Sequence, residues 1–529
     1  MRLKYIILAI GIGLAGSSCE EFLNTKPTNF IAPTYSSLAE LETGLAGVYD
    51  VLGSQAMYGD VIPYWLNVST DIEYTNTGQL NTTVYIYTPA DVQVTNFWKT
   101  LYQGIYRANL VLARVDNPDL DEAARNKIKG QALFLRGYYY FLLASNYGGV
   151  PLLLTDAPDI NNVNVPRSGL REVYDQILSD MTQAEPLVAE ASSLSGGGRI
   201  SRSAVQGILA RVCLTMAGYP LNDTSKYEEA KNWATKVRES GMHELNPDYS
   251  DIFINYARDQ YDIKESIWEV EFYGLLSDGS SEYTYYIGAR GGIRSSDVEL
   301  GASSGAVLAT KWLFDLYEKD ETSTTTPLAS PDLRRDWNIA PFTYAGIPGV
   351  ASPNPDLWRR TMGKWRREYE VQTPKDRVVS PQNFPVLRYS DVLLMIAEAE
   401  NAIHEGPTSE AYEAINQVRR RAYGLMLPTP PDPDVNADLP EGLSKDEFFR
   451  EIINERAREF CFEAMRRPDY IRWGNFINRM KEYKGWALAN GAAAGHVLAQ
   501  DNISDRNLLL PIPTYELSLN KAMTQNPGY

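Results

Sequence analysis

Cysteine and histidine are both scarce in this chain of 529 residues, which contains three of each. The histidines, at positions 243, 404 and 496, lie far apart and form no HExxH or other paired-ligand spacing. Three cysteines are too few for a zinc ribbon or a disulfide framework, and no twelve-residue EF-hand loop is present. We therefore expect no resident metal ion and no cofactor.

Basic residues are also fewer than acidic ones. The sequence has 50 Lys and Arg against 67 Asp and Glu, which gives a net charge of −17. A phosphate backbone binds basic surfaces, so this balance excludes nucleic acid as a partner. The run Gly196-Gly197-Gly198-Arg199 lacks both the Lys-Ser/Thr of a phosphate-binding loop and a GxGxxG pattern. So many acids make carboxylate pairs unavoidable, and glycosidase geometry cannot be read from them. We assign no catalytic residue and expect a protein that is not an enzyme.

Long apolar runs are confined to the N-terminus, where residues 5–15 follow Arg2 and Lys4. This run is too short to cross a bilayer as a helix, which takes about 20 residues, but it fits the apolar region of a secretory signal. Small residues then lead to Cys19, where a bacterial lipoprotein signal is cleaved and acylated, although Gly16 stands where most such signals carry Leu. We predict a signal peptide over 1–18 and lipidation of Cys19. The alternative is an ordinary signal peptide with a cysteine nearby.

The other two cysteines, Cys213 and Cys461, fall inside strongly helical stretches. Such residues usually behave as small apolar side chains. We expect two free, buried thiols, and a disulfide between them is the alternative.

Helical periodicity dominates about 19–57, 99–242 and 386–529. Within WKTLYQGIYRANLVL, apolar residues recur at spacings of three and four, which places them on one helix face. A short Gly406-Pro407 break predicts an antiparallel hairpin of helices, and Ser444-x-x-Glu447 predicts a capping box. Small residues on the inner faces are typical of tetratricopeptide-type helix pairs.

Between the helical stretches, the tracts of about 58–98 and 243–385 are rich in Gly, Pro, Ser, Thr and aromatic residues. Only short alternating patterns such as TTVYIYT and IWEVEF predict strands there. The chain also has 34 Tyr and 10 Trp against 15 Phe, an excess of polar-tipped rings that suits a half-wet recognition surface better than an apolar core. Because loops on a rigid scaffold commonly carry binding residues, we expect these tracts to face a ligand.

Five segments, in order, resemble the SusD/RagB family of nutrient-binding outer-membrane lipoproteins of Bacteroidetes. They are CEEFL with the nearby Lys26-Pro27, WKTLYQGIYRANLVL, GQALFLRGYYYFLLASNYGGVPLL, ERAREFCFEAMRRPDYIRWG and LLLPIPTYELSLNKAMTQNPGY. The resemblance covers nearly the whole mature chain, from 19 to 529, as a single domain. It implies a mostly α fold, in which tetratricopeptide-like helix pairs form a right-handed superhelical scaffold beside an irregular, loop-rich subdomain with short strands.

The resemblance also implies a function. A protein of this family is anchored by lipid to the cell surface, captures oligosaccharide or polysaccharide, and passes it to a SusC-like TonB-dependent outer-membrane transporter. Two alternatives stay open: the same role as a transporter lid with peptide or another nutrient as cargo, and a structural adaptor without a ligand site of its own.

Glycan capture needs aromatic ring faces for sugar C–H groups and planar polar side chains for hydroxyl groups. The predicted ligand-binding residues supply both, and they are Trp65, Asn67, Asp71, Tyr74, Trp98, Tyr283, Tyr285 and Arg290. A packing role is the alternative for each, and we expect Trp312 to be a core residue. The basic stretches RRTMGKWRRE and QVRRRAYG are expected to pair with carboxylates, with anion binding as the alternative.

Overall fold

The computed structural model describes residues 35–75, 82–157, 163–273, 284, 286–344, 346–347 and 349–529. The predicted signal peptide, Cys19, Tyr283 and Tyr285 lie outside these residues. Within the described ranges, no helix is both long enough and apolar enough to span a bilayer.

Helices make up most of the regular structure. In chain order they are α1 (Leu38–Gly53), α2 (Val92–Leu112), α3 (Glu122–Tyr147), α4 (Leu170–Ala184), α5 (Arg202–Ala217), α6 (Lys226–Glu239), α7 (Tyr249–Ala257), α8 (Lys311–Leu316), α9 (Arg334–Asn338), α10 (Tyr389–Ile403), α11 (Ser409–Ala422), α12 (Lys445–Phe460), α13 (Arg466–Arg472), α14 (Phe476–Ala489), α15 (Leu498–Asn502) and α16 (Thr514–Leu519).

The strands are short and form antiparallel pairs. They are β1 (Glu73–Thr75) with β3 (Val307–Ala309), β2 (Ser266–Val270) with β6 (Phe384–Arg388), and β4 (Phe342–Thr343) with β5 (Ser352–Pro353).

Each long helix packs on its neighbour in the chain from α1 to α6, and α6 then packs on α10, which contacts α11 and α12. Small side chains let these helices approach closely. A Cβ atom placed on Gly104 of α2 would lie 2.5 Å from the Tyr139 ring of α3, and Ala108 and Ala230 are fully buried. The predicted mostly α scaffold of helix pairs is therefore confirmed.

Local capping signals set several helix boundaries as predicted. Ser444 and Glu447 form the capping box that opens α12, and the break at Gly406-Pro407 separates α10 from α11. The α2 helix differs from the prediction, because the Asp91 side chain accepts a hydrogen bond from the Gln93 N–H and starts the helix at Val92.

Two strand predictions in the irregular tracts need correction. Part of TTVYIYT, at Thr82–Val84, is a single helical turn rather than a strand. Residues 267–270 of IWEVEF do lie in β2, but the alternation does not mark an exposed face, because Glu269 is only 3% exposed and both faces of β2 are covered. The tract 243–385 also contains the helices α7, α8 and α9.

Many of the tyrosine side chains are buried inside the helical scaffold. Tyr139 and Tyr147 of α3 are fully buried, and their hydroxyls donate to the carbonyl oxygens of Val48 at 2.6 Å and Val94 at 2.8 Å. The two cysteines are free and buried, as predicted. Burial raises the pKa of the Cys213 thiol to about 12 and that of Cys461 to about 11.

Most basic residues of the stretches RRTMGKWRRE and QVRRRAYG form ion pairs with carboxylates, as expected. On α11, Arg421 contacts Glu459 at 2.6 Å. In the other stretch, Arg367 contacts Glu370 at 3.0 Å. Arg359 is the exception, because it forms no ion pair with any described residue.

Candidate ligand-binding site

Asp71, one of the predicted ligand-binding residues, is a buried partner in internal ion pairs. It is 0% exposed, and its carboxylate accepts from Arg466 at 2.8 and 2.9 Å and from Arg479 at 2.8 Å. Burial alone would raise the pKa of Asp71, but the two guanidinium groups hold it well below its usual range. Asp71 thus joins the start of β1 to α13 and α14.

Asn67 and Trp98, two further predicted ligand-binding residues, are buried and make internal contacts. The Asn67 amide donates to the Ile62 carbonyl oxygen at 2.6 Å. Trp98 is 2% exposed, and its ring meets Tyr147 edge to face at a centroid distance of 4.9 Å. The early start of α2 at Val92 places Trp98 within the helix, where it packs on α3 instead of lying at the edge of the scaffold.

Trp65 and Arg290 come together although the sequence separates them widely. The Trp65 indole N–H donates to Asp60 Oδ2 at 2.7 Å, and the Arg290 guanidinium lies 3.3 Å from Asp60 Oδ1. That guanidinium lies 4.6 Å from the centroid of the Tyr64 ring and 5.9 Å from that of Trp65. Burial raises the pKa of Asp60. The two predicted ligand-facing tracts therefore meet at this point, and Trp65 stays partly exposed.

Tyr74 lines a cavity of about 470 Å³, which we name the polar cavity. Its wall consists of Tyr74, Thr75, Arg294, Gly305, Leu308, Asp356, Arg359, Thr361, Gly495, His496 and Leu498. Strands β1 and β3 form one side, and the other wall residues come from the segments 294–305, 356–361 and 495–498. The Tyr64 hydroxyl lies 3.1 Å from Thr75 Oγ1, so the polar cavity adjoins the Trp65 and Arg290 contacts.

Three aromatic residues from distant segments, which we name the aromatic base, contact one another at the polar cavity: Tyr74 and His496 belong to its wall, and Trp358 contacts both of them. The Trp358 ring stacks on His496 at a centroid distance of 5.5 Å, and the Tyr74 ring lies 4.9 Å from the His496 ring. The Tyr74 hydroxyl donates to the Trp358 carbonyl oxygen. Burial lowers the pKa of His496, so its imidazole is neutral at neutral pH. The charges of the wall are those of Arg294, Asp356 and Arg359, whose side chains are exposed.

A tryptophan cluster, consisting of Trp358, Trp486 and Trp312, extends from this base. Trp486 lies 6.4 Å from Trp358 and meets Trp312 edge to face at 4.9 Å. Trp312 and Trp486 are partly exposed, so Trp312 is less enclosed than predicted. Polar groups and apolar ring faces thus lie side by side at one surface, as an amphipathic ligand requires.

Sequence reasoning missed Trp358, Trp486 and His496. Trp358 stands in SPNPDLWRR, so its loop-like neighbours were a usable signal. Trp486 and His496 belong to the stretch assigned to the scaffold, and nothing local indicates that they meet residues of the irregular tract.

A second cavity, of about 540 Å³, lies among α3, α4, α5 and the C-terminal segment. Its wall is mostly apolar and aromatic and includes Tyr58, Phe141, Tyr174 and Phe384. Asn67 lines it, but the other predicted ligand-binding residues that the structure describes do not.

Two family models match this chain. A model described as the SusD family matches residues 264–529, and one described as starch-binding associating with outer membrane matches residues 21–214. Together they span most of the chain and agree with the resemblance of its motifs.

Individual proteins align with this chain over nearly its full length. SusD-like protein P25 of Formosa agariphila is 26% identical over 574 residues, covering 100% of both chains. Starch-binding protein SusD of Bacteroides thetaiotaomicron is 21% identical over 502 residues, covering 87% of this chain and 80% of its own. The crystal structure of a SusD homolog from Bacteroides thetaiotaomicron superposes with a TM-score of 0.83 at 29% identity, covering 94% of this chain and 98% of that one.

Proposed function

This chain belongs to the SusD/RagB family, and from that premise we propose that it is a surface lipoprotein of the outer membrane that binds glycans. In this proposal it delivers oligosaccharide or polysaccharide to a SusC-like TonB-dependent transporter. Cys19 carries the lipid anchor, and the chain acts as a binding protein without catalysis.

The observation that carries the proposal is the polar cavity beside the tryptophan cluster. Sugars present apolar C–H faces and a rim of hydroxyl groups, so they bind where aromatic faces adjoin hydrogen-bonding side chains. Trp312 and Trp486 supply partly exposed rings, while Arg294, Asp356 and Arg359 supply donors and acceptors. Trp65 and Arg290 remain proposed contacts on the adjoining surface, and Tyr283 and Tyr285 are proposed with them.

The relatives support the same conclusion. One matching family model is described as starch-binding associating with outer membrane, and one aligned relative is named a starch-binding protein. These names describe binding, which agrees with a site of ring faces and polar side chains.

Titration calorimetry of the mature chain against a panel of oligosaccharides tests the proposal. We expect saturable binding to at least one member, without release of reducing ends. Trp486→Ala removes a ring face and should weaken that binding about three- to tenfold, the value of one aromatic contact. Trp233→Ala is the matched control, because Trp233 is also partly exposed but lies on α6, where it contacts Lys236.

Each other outcome points to a different function. Release of reducing ends would show that the protein is an enzyme instead. Saturable binding of peptides alone would show that its cargo is peptide rather than glycan. Equal effects of Trp486→Ala and Trp233→Ala would contradict the location of the site. Transporter-dependent uptake without any binding to this chain would leave only the adaptor role.

A further inference from the structure

Two arginines of the polar cavity have no partner among the described residues. The guanidinium groups of Arg294 and Arg359 form no hydrogen bond and no ion pair with that part of the chain. Their neighbours differ, because Arg290 lies 3.3 Å from Asp60 and Arg360 lies 3.8 Å from Asp336. The chain has 67 acidic residues against 50 basic ones, so carboxylates are plentiful as partners for arginine. Two arginines without such a partner nevertheless share one cavity wall.

The cavity wall offers little negative charge to balance them. Among the described residues of the wall, Asp356 is the one carboxylate, and its Oδ1 accepts the Trp358 backbone N–H at 3.0 Å. His496 is neutral at neutral pH because burial lowers its pKa. The described residues of the cavity wall therefore carry two positive charges against one negative charge, on a protein whose net charge is −17.

We propose that the polar cavity selects an anionic glycan, one that bears a uronate carboxylate or a sulfate ester. Guanidinium groups bind such planar or tetrahedral oxyanions through paired N–H donors, and they do so in the charged state at every physiological pH. The aromatic base and the tryptophan cluster hold the sugar rings, while Arg294 and Arg359 bind the anionic substituent. This inference rests on the proposed glycan-binding function and names the class of glycan.

Matched pairs of ligands test the charge selectivity directly. The mature chain is titrated with oligogalacturonate and its methyl ester, and with carrageenan oligosaccharides and their desulfated form. We expect the anionic member of at least one pair to bind about tenfold or more tightly than its neutral partner, and to weaken with added salt. The pair that discriminates identifies the carboxylate or the sulfate as the recognised group.

Charge variants with opposite expected effects test the residues. Arg294→Gln and Arg359→Gln should each weaken the binding of the anionic ligand about three- to tenfold more than the binding of its neutral partner. Asp356→Asn should strengthen the anionic ligand about two- to fivefold, since it removes a like charge while its amide oxygen still accepts the Trp358 N–H. Arg450→Gln, an exposed arginine of α12 outside the cavity, is the control. Unchanged urea unfolding midpoints establish that each variant is folded.

The outcomes separate this inference from the proposed function. Equal or tighter binding of the neutral members overturns the anionic selectivity but leaves a glycan-binding protein. The anionic selectivity of this cavity is also overturned if all three cavity variants bind the ligands as Arg450→Gln does. Absence of binding to every neutral and anionic member overturns both proposals.

Discussion

Replacing Glu459 with Gln tests the buried ion network that joins the helical scaffold to the irregular subdomain. Glu459 Oε1 accepts from Arg388 at 2.8 Å and from Arg421 at 2.6 Å, and Oε2 accepts from Arg334 at 2.9 Å. All four side chains are at most 1% exposed. Burial alone would raise the pKa of Glu459, but the guanidinium groups hold it well below its usual range, so it is ionised at neutral pH.

The partners that remain after the substitution set the magnitude. Arg334 keeps Asp332 and Glu455, and Arg388 keeps Glu265 and Glu463. Among the carboxylates that the structure describes, Arg421 keeps only that of Glu265, at 3.5 Å. Breaking a buried ion pair costs about 3–5 kcal/mol, and because two of the three arginines stay paired we expect the lower end, about 3 kcal/mol.

Urea unfolding at neutral pH, monitored by circular dichroism, measures this loss of unfolding free energy. Urea is uncharged and does not screen the ion pairs. Glu451→Gln is the matched control on the same helix, since Glu451 is 33% exposed and 3.7 Å from Arg458. It should change the free energy of unfolding by less than about 1 kcal/mol. A Glu459→Gln variant as stable as the Glu451→Gln variant would refute the structural role of the network.

Three further substitutions have effects set by burial and close packing. Burial raises the pKa of Glu269 to about 7 from its ordinary 4.5, so its contribution to stability is complete below about pH 4.5 and lost as the pH rises through about 7. Urea unfolding of Glu269→Gln should therefore show a gain over wild type of the order of 3 kcal/mol at about pH 8 that vanishes near pH 4.5; an equal difference at both pH values would contradict this assignment. A Cβ on Gly218 would lie 2.1 Å from the Arg472 carbonyl oxygen, so Gly218→Ala should lower the unfolding free energy by about 1–3 kcal/mol. Gly47 of α1 has no atom within 4 Å of such a Cβ, and Gly47→Ala should raise it by about 0.5–1 kcal/mol; the same sign for both alanine variants would count against the packing described.

The features that sequence predicted well are those with local causes. The capping box at Ser444 and Glu447 and the break between α10 and α11 depend on side chains a few residues apart, and the structure contains both. The burial of Cys213 follows from the largely apolar helix α5 that carries it, whereas Cys461, predicted inside a helical stretch, is buried one residue past the end of α12.

The site was harder to predict because its contacts are distant in sequence. Asp71 looked like an exposed loop acid, but its partners Arg466 and Arg479 follow it by 395 and 408 residues. The aromatic base likewise combines Tyr74 with Trp358 and His496. Local pattern indicated that Trp65, Tyr74 and Arg290 belong to ligand-facing tracts, but it carried no information on which rings the fold would bury.

Calorimetric titration of the mature chain and its Trp486→Ala variant with neutral and anionic oligosaccharides tests the central claim most directly. Glycan binding at the polar cavity and tryptophan cluster predicts saturable binding of at least one oligosaccharide, weakened about three- to tenfold by Trp486→Ala but not by Trp233→Ala. No saturable binding to any member, or binding that Trp486→Ala leaves at wild-type strength, would contradict it.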